Sequence, residues 1–274
     1  MFFLVRSWNL FHGNAIPPER RAYLEEAVRL ASAERPDVLC LQEVPAWGLG
    51  RLGDWAGMTA LTDVAAPPTL GPLPSTADLG RRITELHSGL LRSAFSGQAN
   101  AILAAPSLRP LDHRTLTLNT RRFRRAQAAR LGLGLVSRLA WANERRICQA
   151  VRLTLPGGRT ALVANLHATS YPPDERLADA ELLRAAAFAD GLAGLREICI
   201  LAGDFNVTAR RSRTLADLTG PEWGFSAPGP DIDHILVRGA EASPVEAWPT
   251  ERRRLNGRVL SDHAPVEVRI RVGE

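Results

Sequence analysis

The run EICILAGDFNV, residues 197–207, passes from Glu197 through an unbroken apolar stretch and stops at Gly203, after which Asp204, Phe205 and Asn206 follow. Its length and its β-branched content predict a fully buried strand with polar residues at one end. In an extended chain residues i and i+2 project to the same side, so Asp204 and Asn206 would aim into one pocket. An Asx-rich turn after a strand would look the same. The meaning therefore depends on how the other strands end.

They end alike. FFLVRSWNL (2–10) closes on Asn9, DVLCLQEV (37–44) on Gln42 and Glu43, and TALVANLHA (160–168) on Asn165 and His167. DHILVRG (233–239) opens with Asp233, and Asp262 and His263 precede APVEVRIRV (264–272). With ANAILAAP (99–106) and ICQAVRLTLP (147–156) these make eight predicted strands. Helical patterns lie between them: Glu19 to Arg35 behind Pro17-Pro18, Arg81 to Ala94, Arg121 to Asn143, and Asp174 to Gly191. The order is mixed and includes a hairpin-like pair across Pro156-Gly157-Gly158. That predicts packed sheet layers with helices outside, not a doubly wound parallel sheet. The Pro- and Ala-rich stretch Thr62 to Asp78 reads as a surface insertion within one domain, residues 1–274.

Composition removes whole chemistries. All 34 basic side chains are Arg, so a Lys-dependent phosphate loop, a kinase lysine and a pyridoxal Schiff base are excluded. The net charge of +5 is unevenly placed: residues 121–146 hold eight Arg and one acid, +7, which leaves 5 − 7 = −2 for the rest. This segment is the expected contact for a polyanion such as nucleic acid or acidic lipid headgroups. As one helix it would also carry an apolar row, Phe123, Leu131, Leu135 and Leu139, able to dock on the body of the protein. Cys40, Cys148 and Cys199 sit in apolar runs outside CxxC spacing and read as buried thiols of a reducing compartment. With no leader pattern and no membrane-length apolar run, the expectation is a cytoplasmic monomer.

Each polar strand end has a bland explanation on its own. Together, three or more carboxylates, two amides and two histidines at the ends of buried strands would repel one another unless a cation balanced them. Glu43 and Asp262, with the Asn9 oxygen, form the sparse hard-oxygen set that suits Mg²⁺, or Mn²⁺ in its place. Zn²⁺ is disfavoured for want of Cys or His at ligand spacing.

The motifs Trp8-Asn9, Leu41-Gln42-Glu43, Asn165-Leu166-His167, Gly203-Asp204-Phe205-Asn206, Ile232-Asp233-His234 and Ser261 to Val266 resemble, in order, the motif series of the endonuclease/exonuclease/phosphatase superfamily. That group includes deoxyribonuclease I, abasic-site endonucleases, sphingomyelinases and inositol polyphosphate 5-phosphatases. The resemblance implies a four-layer α/β sandwich, two mixed sheets face to face with helices outside. It also implies a divalent-metal-dependent phosphoesterase, nuclease-like and acting on diesters. Glu43 would be the main metal ligand, with Asn9 and Asp262 supporting it. Asp204 would activate the attacking water, Asn206 would hold the nucleophile, and His167 would donate to the phosphoryl oxygen. His263, oriented by Asp233, would be the second charged partner of the phosphate. Relatives also place an amide at Asn100 and a phosphate-contacting arginine at Arg145 or Arg146. Two alternatives stay open: a monoesterase on a small metabolite or lipid headgroup, and a silent binding module. The intact residue set argues against the silent module. Only 26 residues separate Asn206 from Asp233, without the aromatic insertion expected for base flipping.

Overall fold

The computed structural model describes residues 2–70, 73–76, 78–79, 81–82, 95–143 and 145–273. Ten principal strands form two sheets. β1 (Phe2–Asn9), β2 (Val38–Val44), β3 (Thr59–Ala66), β4 (Gln98–Ala104) and β10 (Val266–Arg271) build the first, in the order β10-β1-β2-β4-β3. β5 (Arg109–Thr117), β6 (Ile147–Thr154), β7 (Thr160–His167), β8 (Ile198–Asp204) and β9 (Asp233–Arg238) build the second, in the order β9-β8-β7-β6-β5. Each sheet is mixed: β1 runs parallel to β2, and β7 to β8, while the other principal pairings are antiparallel.

Three apolar clusters stack the layers. Val5, Cys40 and Ile102 of the first sheet pack with Val151, Val163 and Ile200 of the second. The outer face of the first sheet meets α1 (Leu24–Ser32) and α2 (Leu52–Ala56) through Leu24, Val28, Leu39, Leu41 and Leu52. The outer face of the second meets α5 (Arg176–Leu192) and α6 (Arg213–Leu218) through Leu182, Ala186, Leu201 and Leu215. This is the expected four-layer sandwich. All eight predicted runs are strands here: most are buried on both faces and read as largely apolar, while β10 alternates buried Val266, Val268 and Ile270 with solvent-side residues. Cys40, Cys148 and Cys199 are free and buried. No helix among the described residues is long and apolar enough to cross a membrane.

Polar staples cross the inter-sheet core. Asn165 Nδ2 donates to Leu41 O at 2.9 Å and Ala101 O at 3.0 Å, while Gln42 Nε2 donates to Asn165 Oδ1 at 2.7 Å. Two of the polar strand-end residues thus fix sheet against sheet. Gly203 is held at φ +137°, and a Cβ there would stand 1.9 Å from Leu166 O, so the tight β7–β8 approach admits only glycine.

Several expectations are corrected. Thr59–Ala66 is a strand paired to β4, so the stretch from Thr62 begins inside the sheet. β3 and β5 were not predicted because both are edge strands, half-exposed and without an apolar run. The first helix starts at Leu24, not Glu19, because Gly13 O takes the Tyr23 N–H and fixes the chain just before it. The expected helix Arg81–Ala94 lies almost wholly outside the described residues. The basic segment is two helices, α3 (Arg121–Arg130) and α4 (Leu135–Asn143), divided at Gly132, which has φ +60°. The predicted apolar row is therefore split: Phe123 and Leu131 pack with Ala128, Leu133, Trp141 and Leu177, whereas Leu135 and Leu139 are exposed.

A buried ion pair ties β1 to β10. Glu267 Oε2 accepts from Arg6 Nε at 2.9 Å, Arg6 Nη2 at 2.6 Å and Trp248 Nε1 at 2.9 Å, and the Arg6 side chain is wholly buried. Burial pushes the Glu267 carboxyl up, but Trp248, Arg6 and Arg252 outweigh it, leaving it below the usual carboxylate range. A depressed folded-state value stabilises the fold above the unfolded value and loses that contribution as pH falls. Glu267→Gln is expected to cost about 2 kcal/mol in urea unfolding at pH 7, since it leaves the buried Arg6 guanidinium with only the Ala31 carbonyl and the more distant, exposed Glu34 carboxylate. The gap to wild type should close below about pH 4. Equal stability at pH 7 would remove the pair from the account.

Candidate active site

Parallel pairing explains why the polar strand ends meet. Asn9 pairs in register with Gln42 in the first sheet, and His167 with Asp204 in the second, so both parallel pairs finish at the same edge of the sandwich. Asp233 opens antiparallel β9 opposite Asp204. β10 runs antiparallel to β1, with Val266 opposite Ser7, which carries Asp262 and His263 beyond Asn9 to that edge. Among the described residues seven non-glycine positions have positive φ, and five of them lie here: Phe11, His12, Glu43, Asn206 and Ser261. Strained backbone gathers where side-chain placement outweighs local comfort. A bulge between Leu41 and Val44 turns Glu43 out of the β2 pleat.

The centre of the site is one oxygen. Asp204 Oδ2 accepts from Asn9 Nδ2 at 3.0 Å and lies 3.6 Å from His167 Nε2 and 3.8 Å from His263 Nε2. Asp204 Oδ1 accepts the Asn206 N–H at 3.0 Å, and Asn206 Nδ2 donates to Ala168 O at 3.0 Å. Burial pushes the Asp204 carboxyl up, and the charges of Asp233 and Glu43 push it further against His263 and Asn9. His263 Nδ1 bonds Asp233 Oδ2 at 2.7 Å. Burial disfavours the His263 cation, but Asp233, Asp204 and Asp262 outweigh burial and push it up to about 10. The loop carrying His263 is tightly held: Trp8 Nε1 donates to His263 O at 2.9 Å, Ser261 Oγ to Asn9 O at 2.7 Å, and Arg253 Nη1 to Ser261 O and His263 O.

The second histidine is set the opposite way. Burial and then the Arg146 cation hold His167 well below the ordinary imidazole range, against the pull of Glu43. Arg146 Nη1 lies 2.9 Å from its ring nitrogens. His167 is thus neutral near pH 7, with Arg146 as the permanent cation beside it. Glu43 Oε1 is 3.7 Å from His167 Nε2, and Glu43 Oε2 is 3.0 Å from His12 Nε2. Burial would raise the Glu43 carboxyl, but His12, His167 and Arg146 outweigh it and hold it below the usual range. Arg146, His12 and Glu43 line a cavity of about 280 Å³ with Gln98, Asn143 and Thr169.

Most residues expected at the site are brought together; two need comment. Arg145 is not at the cavity: it is exposed and donates to Thr117 Oγ1 at 2.9 Å, whereas the adjacent Arg146 is buried there. Neighbouring residues entering a strand face opposite ways, and Asn119 Oδ1 fixes the turn by accepting the Arg146 N–H. Asn100 is buried, its amide 3.4 Å from Ile147 O and Asn165 O, so it braces strand ends. His12 was not foreseen. Its only sequence signal is a histidine before glycine in Phe11-His12-Gly13, just past the Asn9 strand end.

A divalent cation needs hard oxygen donors, and the cleft offers several carboxylates. Glu43 raises both Asp204 and Asp262, so these carboxylates are close enough to repel, and Asp262 is pushed up by burial as well. A hard dication would relieve that repulsion. Asp204, Asp233 and His263 also place ligand atoms within 4.8 Å of one another. In that second group Asp233 and His263 already bond each other at 2.7 Å, so an ion there would have to displace that hydrogen bond. Glu43 and Asp262 therefore fit the ion better.

The sequence pattern of the Endonuclease/Exonuclease/phosphatase family matches residues 7–263. The chain belongs to that family. Membership in the endonuclease/exonuclease/phosphatase family supports a phosphoesterase, and enzymes of the family typically depend on a divalent metal. Solved structures share the fold: an endonuclease/exonuclease/phosphatase from Bacteroides vulgatus (13% identity, 100% of both chains, TM-score 0.69), one from Beutenbergia cavernae DSM 12333 (16%, 99% of this chain and 72% of that one, 0.66), and humanized D. rerio TDP2 (15%, 99% of both, 0.65). No curated protein matches this chain by sequence. At these identities the likeness to the family's solved members is one of fold.

Proposed function

We propose that the chain hydrolyses phosphodiester bonds, nuclease-like, by in-line attack of a water, with Mg²⁺ or Mn²⁺ held by Glu43 and Asp262 and supported by the Asn9 oxygen. The observation that carries this reading is the placement of Asp204 Oδ2 within 4 Å of both His167 and His263. A raised carboxyl accepts a proton from water better than an ordinary one. Asn206, bonded through its N–H to the same carboxylate, orients the nucleophile beside it. His263, kept charged by Asp233, meets the charge that builds on the phosphoryl oxygens. Neutral His167 donates a single N–H to those oxygens, and Arg146 adds a fixed positive charge behind it. The bound cation would supply Lewis-acid stabilisation of the phosphoryl and leaving oxygens.

The test is magnesium-dependent release of p-nitrophenol from bis- and mono-p-nitrophenyl phosphate, with plasmid and oligonucleotide substrates alongside. Turnover of the diester, abolished by EDTA, is the expected result. Activity on the monoester alone would replace this reading with the phosphatase. No turnover of any substrate would leave a binding module on the same scaffold.

A further inference from the structure

Beside the catalytic cavity, α4 exposes what a folded chain normally hides. Leu135, Val136 and Leu139 are 72%, 69% and 62% exposed, three aliphatic side chains on one short helix. Going round α4 at about 100° per residue, Arg138 and Ala142 come first, then Leu135 and Leu139, then Val136 and Asn143, and finally Ala140. The first pair lines a hollow of about 230 Å³ shared with Arg121, Arg124 and Arg125 of α3. Asn143 and Ala140 line the cavity that Glu43, His12 and Arg146 also line. An apolar strip thus separates an arginine-lined hollow from the proposed hydrolytic site.

The arginines are prepared for an anion. Arg124 Nη1 is anchored on Asn119 O and Arg138 Nε on Leu133 O, both at 2.8 Å, which fixes each guanidinium while leaving other N–H donors unspent. Arg121, Arg122, Arg125 and Arg130 have no acidic partner among the described residues. The α3 sequence, Arg-Arg-Phe-Arg-Arg-Ala-Gln-Ala-Ala-Arg, contains no acid.

We propose that the α3–α4 hairpin docks on an anionic lipid surface, with the Leu135/Val136/Leu139 strip entering the headgroup boundary and the α3 arginines meeting the lipid phosphates. The pairing of apolar and cationic features decides the partner. A nucleic-acid face is polar, and single strands are held on exposed aromatic platforms. Here the exposed side chains are aliphatic, and Trp141, the aromatic of the hollow, is wholly buried. Aliphatic residues flanked by arginine are what an interfacial helix presents to acidic lipid. Docked in this way, the catalytic cavity would open at the rim of the lipid surface.

Vesicle sedimentation of the full chain tests this without any turnover, so its outcome is separate from that of the hydrolase reading. The chain is expected to bind phosphatidylcholine vesicles holding about 30% phosphatidylglycerol roughly tenfold better than pure phosphatidylcholine, with affinity falling as salt rises. L135E/L139E should lower binding to the anionic vesicles about tenfold, while circular dichroism and hydrolysis of soluble bis-p-nitrophenyl phosphate stay at wild-type values. R121Q/R125Q should weaken binding and flatten its salt dependence. Equal affinity for both vesicles, or binding indifferent to L135E/L139E, would overturn the proposal. So would oligonucleotide binding lost in R121Q/R125Q without vesicle binding, which would assign the arginines to nucleic acid.

Discussion

Asp204→Asn is expected to lower kcat on bis-p-nitrophenyl phosphate by about 10³- to 10⁴-fold, some 4 to 5.5 kcal/mol of barrier, with the melting temperature within a few degrees of wild type. The amide keeps the shape, but its single oxygen can accept only one of the two hydrogen bonds that the carboxylate takes on separate oxygens, Oδ2 from Asn9 Nδ2 and Oδ1 from the Asn206 N–H. What it loses is the negative, proton-accepting oxygen between the two histidines. Removing a carboxylate whose pKa is raised by burial and by like charges also removes a source of strain, which offsets the one lost hydrogen bond and keeps the melting temperature near that of wild type. A variant that keeps wild-type kcat would take Asp204 out of the reaction. A large fall in melting temperature with unchanged turnover would make it a structural residue.

His263→Ala should cost about 10²- to 10⁴-fold in kcat, and because it leaves the buried Asp233 carboxylate without its partner it should also lower the melting temperature, more than Asp204→Asn does. The His263 ring is one of the few in the site whose positive charge is secured by a dedicated partner, Asp233 at 2.7 Å. Its loop is anchored through main-chain atoms by Trp8, Arg253 and Ser261, so truncating the ring leaves those bonds in place. Asp233→Asn should give a smaller loss in the same direction. In the double variant it should cost little beyond His263→Ala, because Asp233 acts through the imidazole. Additive losses would show that Asp233 acts independently of His263.

Much of this architecture could be read from the sequence, for a physical reason. A strand covered on both faces is mostly apolar, so β1, β2, β4 and β6 to β9 announce themselves, while β10 shows the strict alternation of a strand with one face to solvent, Val266, Val268 and Ile270 buried against Glu267, Arg269 and Arg271. Edge strands need not be apolar, and Arg109–Thr117, with Pro110, Asp112, His113 and Arg114, offered no such run. Its place is set by partners remote in sequence: His113 Nε2 sits 2.7 Å from Asp63 Oδ2 on the other sheet's edge. The basic segment misled as a single helix because the positive φ at Gly132 costs nothing there, and the break redirects half of its apolar row to solvent.

The site was legible as a list of strand ends but not as a geometry. Nothing in the order of residues states that β1–β2 and β7–β8 are the parallel pairs, which is what lays Asn9, Glu43, His167 and Asp204 along one edge. Nor does it state that Gln42 and Asn165, polar and motif-borne, brace the sheets instead of meeting substrate. His12 escaped because a 3₁₀ turn with positive φ carries it to Glu43, and such a turn has no periodicity to detect. The choice between Arg145 and Arg146 rests on which of two adjacent side chains faces inward where β6 begins, one residue from the boundary.

The assignment of charge within the cleft can be checked in a single crystal. Anomalous scattering from crystals soaked in Mn²⁺ should show a peak against Glu43 and Asp262, with the Asp233–His263 hydrogen bond intact. A peak bridging Asp204, Asp233 and His263 instead would contradict the account, since it would require a neutral imidazole where a charged one has been argued.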